Sequence, residues 1–270
     1  MLLYSETFGA KVDINQPTLV FLHGLLGNGH DWRYVISQVA ATQQCITIDL
    51  PGHGLSAFVD AEMTTEAPDG GFEVIHQALT ATLVHRGVND YVLIGYSMGA
   101  RLAMYHACAL AANSSVSSNG PRLINVLLEG GHFGLPDAER EPRYQHDQRW
   151  AARFAQQPLV DVLQDWYQQP VFVSLTVDQQ QDLVAKRSDN LGSGIAKMML
   201  ATSLAKQPQL LPQLQQLSLP IHYLCGEHDT KFRDLALACG LAVTVIDNAG
   251  HNIHIEQPIA FTTALLAFLD

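Results

Sequence analysis

Short, β-rich apolar runs at 18–22, 45–49, 91–94 and 123–128 alternate with longer stretches of mixed polarity in the first half of the chain. Runs this short, apolar at every position rather than every second one, read as strands covered on both faces. The intervening stretches near 31–40, 72–86 and 100–112 carry apolar residues at helical spacing. Strand–helix alternation implies a mainly parallel sheet with helices on both sides. From about 134 to 206 the pattern breaks. No strand is legible there, only helical segments rich in glutamine and aromatics: RWAARFAQQ, VDVLQDWYQQ, QQQDLVAKR and GIAKMMLATSLA. After Pro220 the alternation returns, with strands at 221–225 and 243–247, a helix near 230–239 and a last helix over 259–268. The expected organisation is a core of residues 1–133 and 207–270, interrupted by a helical insertion at 134–206. Residues 113–119 (NSSVSSN) read as a polar surface loop.

The third strand runs into GYSMGARLAM. A G-x-S-x-G sequence between a strand and a helix is the nucleophile elbow of the α/β-hydrolase fold. The turn forces Ser97 into a backbone conformation that only small neighbours, Gly95 and Gly99, leave room for. Its hydroxyl then stands at a helix N-terminus, where backbone N–H groups favour negative charge. The expected fold class is therefore α/β, with a mostly parallel sheet and helices on both faces. The insertion at 134–206 lies where that fold carries a cap.

Composition narrows the setting. At 270 residues with 47% hydrophobic content, the chain can build a full core. No apolar run approaches the ~20 residues of a membrane span, and MLLYSETFGAK has neither a basic leader nor a long apolar stretch. Cys45, Cys108, Cys225 and Cys239 show no metal-type spacing, so they read as reduced core residues of a cytoplasmic protein. A net charge of −11 argues against nucleic acid and anionic membranes as partners. That charge is uneven. The insertion holds 8 basic against 9 acidic residues and the core 7 against 17, so the insertion is relatively positive.

A serine hydroxyl needs an imidazole to take its proton and a carboxylate to orient that imidazole. In this fold the chain order is Ser, then Asp or Glu, then His. Asp229 in CGEHDTKF and His251 in NAGHNIH each follow a strand end, on the same sheet edge as the elbow. Glu227 is a rival acid nearer its strand end. His228 and His254 are rival bases, but Asp229 matches the pattern better than Glu227, and His251 follows Gly250 at the loop tip whereas His254 falls where the next element begins. The HG-containing loop FLHGLLG suggests Leu25 as one backbone donor to an oxyanion, with Met98, next after the nucleophile, as the other. His23 and His53 read as loop-shaping.

Arg101 separates this chain from a generic esterase. It sits four residues after Ser97, one helical turn on, so the two side chains can share a face. A guanidinium serves little purpose beside an apolar ester, but grips a carboxylate through two bonds. An outward-facing salt-bridge partner is the plainer alternative.

GYSMGAR, EGGHFGL, DWYQQPVFVSL, LVAKRSDN, MLATSLAKQP, YLCGEHDTKFR and AGHNIHIEQP together resemble the 2-succinyl-6-hydroxy-2,4-cyclohexadiene-1-carboxylate synthases (MenH) of menaquinone biosynthesis. The likeness runs from about residue 18 to the C-terminus. Ala100 is one departure, where relatives often carry a second glycine. The resemblance implies Ser97, Asp229 and His251 as the triad. It further implies Arg101, Arg143 and Arg187 as ligands of substrate carboxylates, with Tyr96 and Trp166 lining the pocket. Arg140 and Arg149 lie close enough to Arg143 to be mistaken for it. The implied reaction is loss of pyruvate from 2-succinyl-5-enolpyruvyl-6-hydroxy-3-cyclohexene-1-carboxylate, with no metal and no organic cofactor. The expected enzyme is a carbon–oxygen lyase acting on a small tricarboxylate, as a monomer or small homo-oligomer. The alternative is a carboxylesterase, thioesterase or C–C-bond hydrolase using Ser97 covalently.

Overall fold

The computed structural model describes residues 1–10, 13, 16–58, 70–112 and 120–269. The loop read at 113–119 lies outside them. Among the described residues seven strands form one sheet: β1 (Ser5–Phe8), β2 (Thr18–Leu22), β3 (Cys45–Ile48), β4 (Asp90–Tyr96), β5 (Arg122–Glu129), β6 (Ile221–Gly226) and β7 (Ala242–Ile246). They lie in the order β1-β3-β2-β4-β5-β6-β7, and every pair is parallel except β1 with β3. Strand β1 has no counterpart in the sequence reading. SETF is too short and polar to announce a strand, and its ladder comes from β3, where Ser5 lies opposite Ile48.

The helices of the first half are α1 (Arg33–Val39), α2 (Phe72–His85) and α3 (Met98–Ala112). Between β5 and β6 run α4 (Asp137–Gln156), α5 (Leu159–Trp166), α6 (Val177–Arg187), α7 (Gly192–Ala201) and the short α8 (Leu211–Leu214). The chain closes with α9 (Thr230–Leu237), α10 (Ile253–Glu256) and α11 (Pro258–Leu269). The last helix thus starts as a separate turn, α10, which carries His254.

Continuous apolar strands follow from burial of both sheet faces. Val20 and Leu22 of β2 pack with Phe72 and Leu79 of α2, while Leu19 and Phe21 face α1 and α11 through Val35 and Phe261. A third cluster belongs to the helices after β5: Phe154, Leu163, Leu183 and Ile195 pack together, and Leu26 from the loop after β2 joins them. Among the described residues no helix is long and apolar enough to cross a membrane.

Two buried histidines make stability depend on pH. Burial pushes the His53 pKa down to about 3, with His23 adding to it. Burial, then His76, does the same to His106, whose Nε2 lies 2.6 Å from the Tyr91 hydroxyl. Both folded values lie below the unfolded one, near 6.5, so the unfolded chain binds more protons between them. The stabilisation is complete above about pH 6.5 and is lost as pH falls toward 3. Each histidine contributes a slope on the order of 1 kcal/mol per pH unit in that window. Urea midpoints should therefore be lower at pH 5 than at pH 7.5; equal midpoints would mean that these imidazoles already carry charge in the fold.

Candidate active site

The elbow is held by its own backbone. Ser97 adopts φ 51° between the end of β4 and the start of α3. Its N–H donates to the Glu129 carbonyl at the end of β5, at 2.7 Å. A Cβ on Gly95 would lie 2.5 Å from the Gly99 oxygen, and one on Gly99 would lie 2.4 Å from the Leu22 oxygen. Neither position admits a side chain without moving backbone, so the turn demands both glycines.

Asp229 and His251 reach this serine from the ends of β6 and β7. His251 Nε2 lies 3.2 Å from Ser97 Oγ, and its Nδ1 lies 2.6 Å from Asp229 Oδ2. Both side chains are buried. The rival groups lie outside this relay. Glu227 is exposed and accepts the Asn248 N–H at 3.0 Å. His228 is exposed. His254 is buried behind the site, its Nδ1 2.7 Å from Glu129 Oε2 and its ring stacked on Trp32. Two carboxylates that the sequence reading did not single out hold the histidine loop. Glu256 accepts the N–H groups of Gly250 and Asn252, on either side of His251, at 2.8 and 3.0 Å. Glu129 accepts the N–H of His254 at 3.1 Å.

The loop after β2 packs against the elbow. A Cβ on Gly24 would lie 2.6 Å from the Tyr96 ring and 3.5 Å from Ser97 Cβ. Gly27 N–H closes a turn onto the Gly24 carbonyl at 3.0 Å, and Leu26 takes φ 70° within it. His53 Nε2 accepts the Leu26 N–H, and His23 Nε2 accepts the N–H of Leu50. Both imidazoles are therefore neutral acceptors that shape loops, and burial holds both pKa values down. The N–H groups of Leu25 and Met98 have no backbone acceptor among the described residues.

Tyr96 is buried, its ring centroid 5.4 Å from that of His251. Phe232 lies closer, at 4.6 Å, and Phe172 contributes an aromatic edge from the inserted helices at 6.4 Å. Trp166 stands one ring further out, 6.5 Å from Phe172 and packed on Trp150 and Phe154. Phe232 and Phe172 carried no sequence signal of their own, because an aromatic in an apolar segment reads as core.

The arginines differ in their partners. Arg101 donates to the Thr202 carbonyl at 2.6 Å and to Gln207 Oε1 at 3.4 Å, and has no ion pair among the described residues. Burial, then the Arg143 charge, pushes its pKa down to about 9, with Asp147 opposing. It remains charged at neutral pH as an under-compensated cation. Arg143 is half-buried, 2.8 Å from Asp147, whose other oxygen accepts the Ser203 hydroxyl at 2.7 Å. Of its neighbours, Arg140 binds Asp137 and the Ala205 carbonyl, and Arg149 is exposed. His132 marks the same positive region. Burial, then Lys231, Arg101 and Arg143, lowers its pKa to about 4. Arg187 is different. It is buried against Asp31 at 2.7 Å, with side-chain exposures of 6% and 11%.

The chain is similar to known proteins over nearly its whole length. The Alpha/beta hydrolase family model matches residues 19–265. The 2-succinyl-6-hydroxy-2,4-cyclohexadiene-1-carboxylate synthase of Serratia proteamaculans is 44% identical over 95% of this chain and 94% of its own. That of Yersinia pseudotuberculosis is 45% identical over 94% of this chain and 88% of its own. Among solved structures, MenH from S. aureus superposes with a TM-score of 0.83 at 30% identity, covering 98% of this chain and 97% of that one. A Thermogutta terrifontis esterase, at a TM-score of 0.75 and 19% identity, shares the fold. The chain belongs to the alpha/beta hydrolase family and, within it, to the 2-succinyl-6-hydroxy-2,4-cyclohexadiene-1-carboxylate synthases.

Proposed function

We propose that this chain is a carbon–oxygen lyase of menaquinone biosynthesis. It eliminates pyruvate from 2-succinyl-5-enolpyruvyl-6-hydroxy-3-cyclohexene-1-carboxylate and leaves 2-succinyl-6-hydroxy-2,4-cyclohexadiene-1-carboxylate. The observation that carries this reading over a plain esterase is the pair Arg101 and Arg143, close enough to repel, with Arg101 unpaired by any described carboxylate. Two neighbouring cations in a chain of charge −11 favour a multi-anionic ligand.

In this mechanism Ser97, deprotonated with the help of His251, removes a ring proton, and Asp229 steadies the imidazolium that forms. Negative charge develops on the succinyl carbonyl oxygen, where the N–H groups of Leu25 and Met98 receive it. The C–O bond to the enolpyruvyl group then breaks, and its electrons leave with enolpyruvate. Arg101 and Arg143 fix the carboxylates, while Tyr96 and Trp166 wall the pocket. We treat residues 134–206 as a cap over a core of 1–133 and 207–270. All four cysteines are buried and free, which suits the cytoplasm, where we place the enzyme.

The same triad could acylate Ser97 in a hydrolase, so the test is covalent chemistry. Rapid quench and intact-mass analysis during turnover should find no substrate-derived adduct on Ser97, and pyruvate should appear without a burst. A trapped adduct of the natural substrate would replace the lyase reading with the hydrolase one.

A further inference from the structure

The turn Gly24–Gly27 is gripped from both the sheet and the inserted helices. From the sheet side, His53 takes the Leu26 N–H at 3.0 Å. From α6 and the turn after it, Asn190 Nδ2 donates to the Leu26 carbonyl at 2.9 Å and to the Arg187 carbonyl at 3.1 Å. The Leu26 side chain is buried in the helical cluster with Phe154 and Ile195. Arg187 binds Asp31 at 2.7 Å, and Asp31 in turn accepts the Asn28 N–H at 3.4 Å. The loop is packed tightly onto this carboxylate, since a Cβ on Gly27 would lie 2.5 Å from Asp31 Oδ2.

We propose that Arg187 is a positioning residue: together with Asp31 and Asn190 it locks the Gly24–Gly27 turn so that the Leu25 N–H faces the oxyanion. The proposal rests on the assignment of Leu25 as an oxyanion donor. A left-handed non-glycine residue persists only where its surroundings over-determine it, and Leu26 is held at its N–H, its carbonyl and its side chain. Asn190 holds the carbonyl of the Leu26–Gly27 peptide, and His53 holds the N–H of the Leu25–Leu26 peptide. Released from Asn190 and the Arg187–Asp31 pair, the turn keeps its bond to His53 but loses its anchor to the inserted helices, and the neighbouring Leu25 N–H loses its aim. Charge makes the same distinction. Arg187 already has a buried carboxylate partner, whereas Arg101 has none among the described residues.

The test compares Asp31→Asn, Arg187→Gln, their double variant and Asn190→Ala. Two readouts are measured: kcat and KM for the tricarboxylate, and the rate at which a small neutral fluorophosphonate labels Ser97. The probe depends on the oxyanion donors and carries no carboxylate. Asp31→Asn and Arg187→Gln should each lower kcat and the labelling rate by about 10- to 100-fold, part of what losing an oxyanion donor costs. KM should stay within about 3-fold, and the double variant should be no worse than the poorer single one. Removing one partner of a buried pair can unfold a segment. Asn190→Ala leaves the pair intact and should show the same pattern at about 3- to 10-fold. The opposite result assigns Arg187 to the substrate, through its buried and unpartnered Nε: a raised KM and unchanged labelling in Arg187→Gln, with Asp31→Asn neutral. Unchanged labelling and kcat in folded Asn190→Ala would also overturn the proposal. Failure of the lyase reading is separate, since it would show as no pyruvate from the parent enzyme while the labelling effects persist.

Discussion

Ser97→Ala, Asp229→Asn and His251→Ala should each lower kcat by about two to four orders of magnitude, the loss expected when general-base catalysis is removed. The side chains form one chain of contacts, 2.6 Å from Asp229 to His251 and 3.2 Å from His251 to Ser97. Each acts through the next, so a double or triple variant should be scarcely worse than the most damaging single one. KM should change little, because none of the three is assigned to a substrate carboxylate. Folding should survive in Ser97→Ala, where the elbow depends on backbone contacts and flanking glycines. Asp229→Asn keeps the shape of a buried group and exchanges an acceptor for a donor, which favours the wrong imidazole tautomer. Steady-state pyruvate release with circular dichroism on each variant decides the matter. A mild Asp229→Asn beside a severe Glu227→Gln would move the acid to Glu227, against its exposed position and its bond to Asn248.

Arg101→Ala and Arg143→Ala should cost the tricarboxylate about 2–5 kcal/mol each, the penalty for leaving one partner of a desolvated charge pair alone. That is roughly 30- to several-thousand-fold in kcat/KM. Lysine should restore only part of it, since an ammonium cannot make the planar two-bond contact. A small neutral ester engages neither cation, so its hydrolysis, where measurable, should barely change in Arg143→Ala. The variants carry different structural risks. Arg101→Ala removes a donor to the Thr202 carbonyl. Arg143→Ala leaves Asp147 buried with the Ser203 hydroxyl and His146 as remaining partners. Equal losses on both substrates would make the arginines structural. No loss on either would remove the physical argument for preferring elimination to ester hydrolysis in this site.

The sequence by itself determined whatever rests on a few adjacent residues. Doubly buried strands announce themselves as unbroken apolar runs, because each successive side chain meets a helix. The elbow announces itself because φ 51° at Ser97 is possible only with Gly95 and Gly99 beside it. Chain order narrowed the acid and base to a few residues, since connections in a parallel sheet bring strand ends to one edge. Partner choice was decided by tertiary structure alone. Strand β1 exists because β3 offers it a ladder. Glu256 is an undistinguished acid in sequence, and grips the histidine loop only because a helical turn folds back on it. Three arginines in REPRYQHDQR look alike until helix α4 is placed and Arg143 alone comes beside Arg101. Arg187 carries no mark of the carboxylate it meets, which lies 156 residues earlier in the chain. Spacing rules act within a few turns of backbone, whereas the partner of a buried charge is fixed by how distant segments pack.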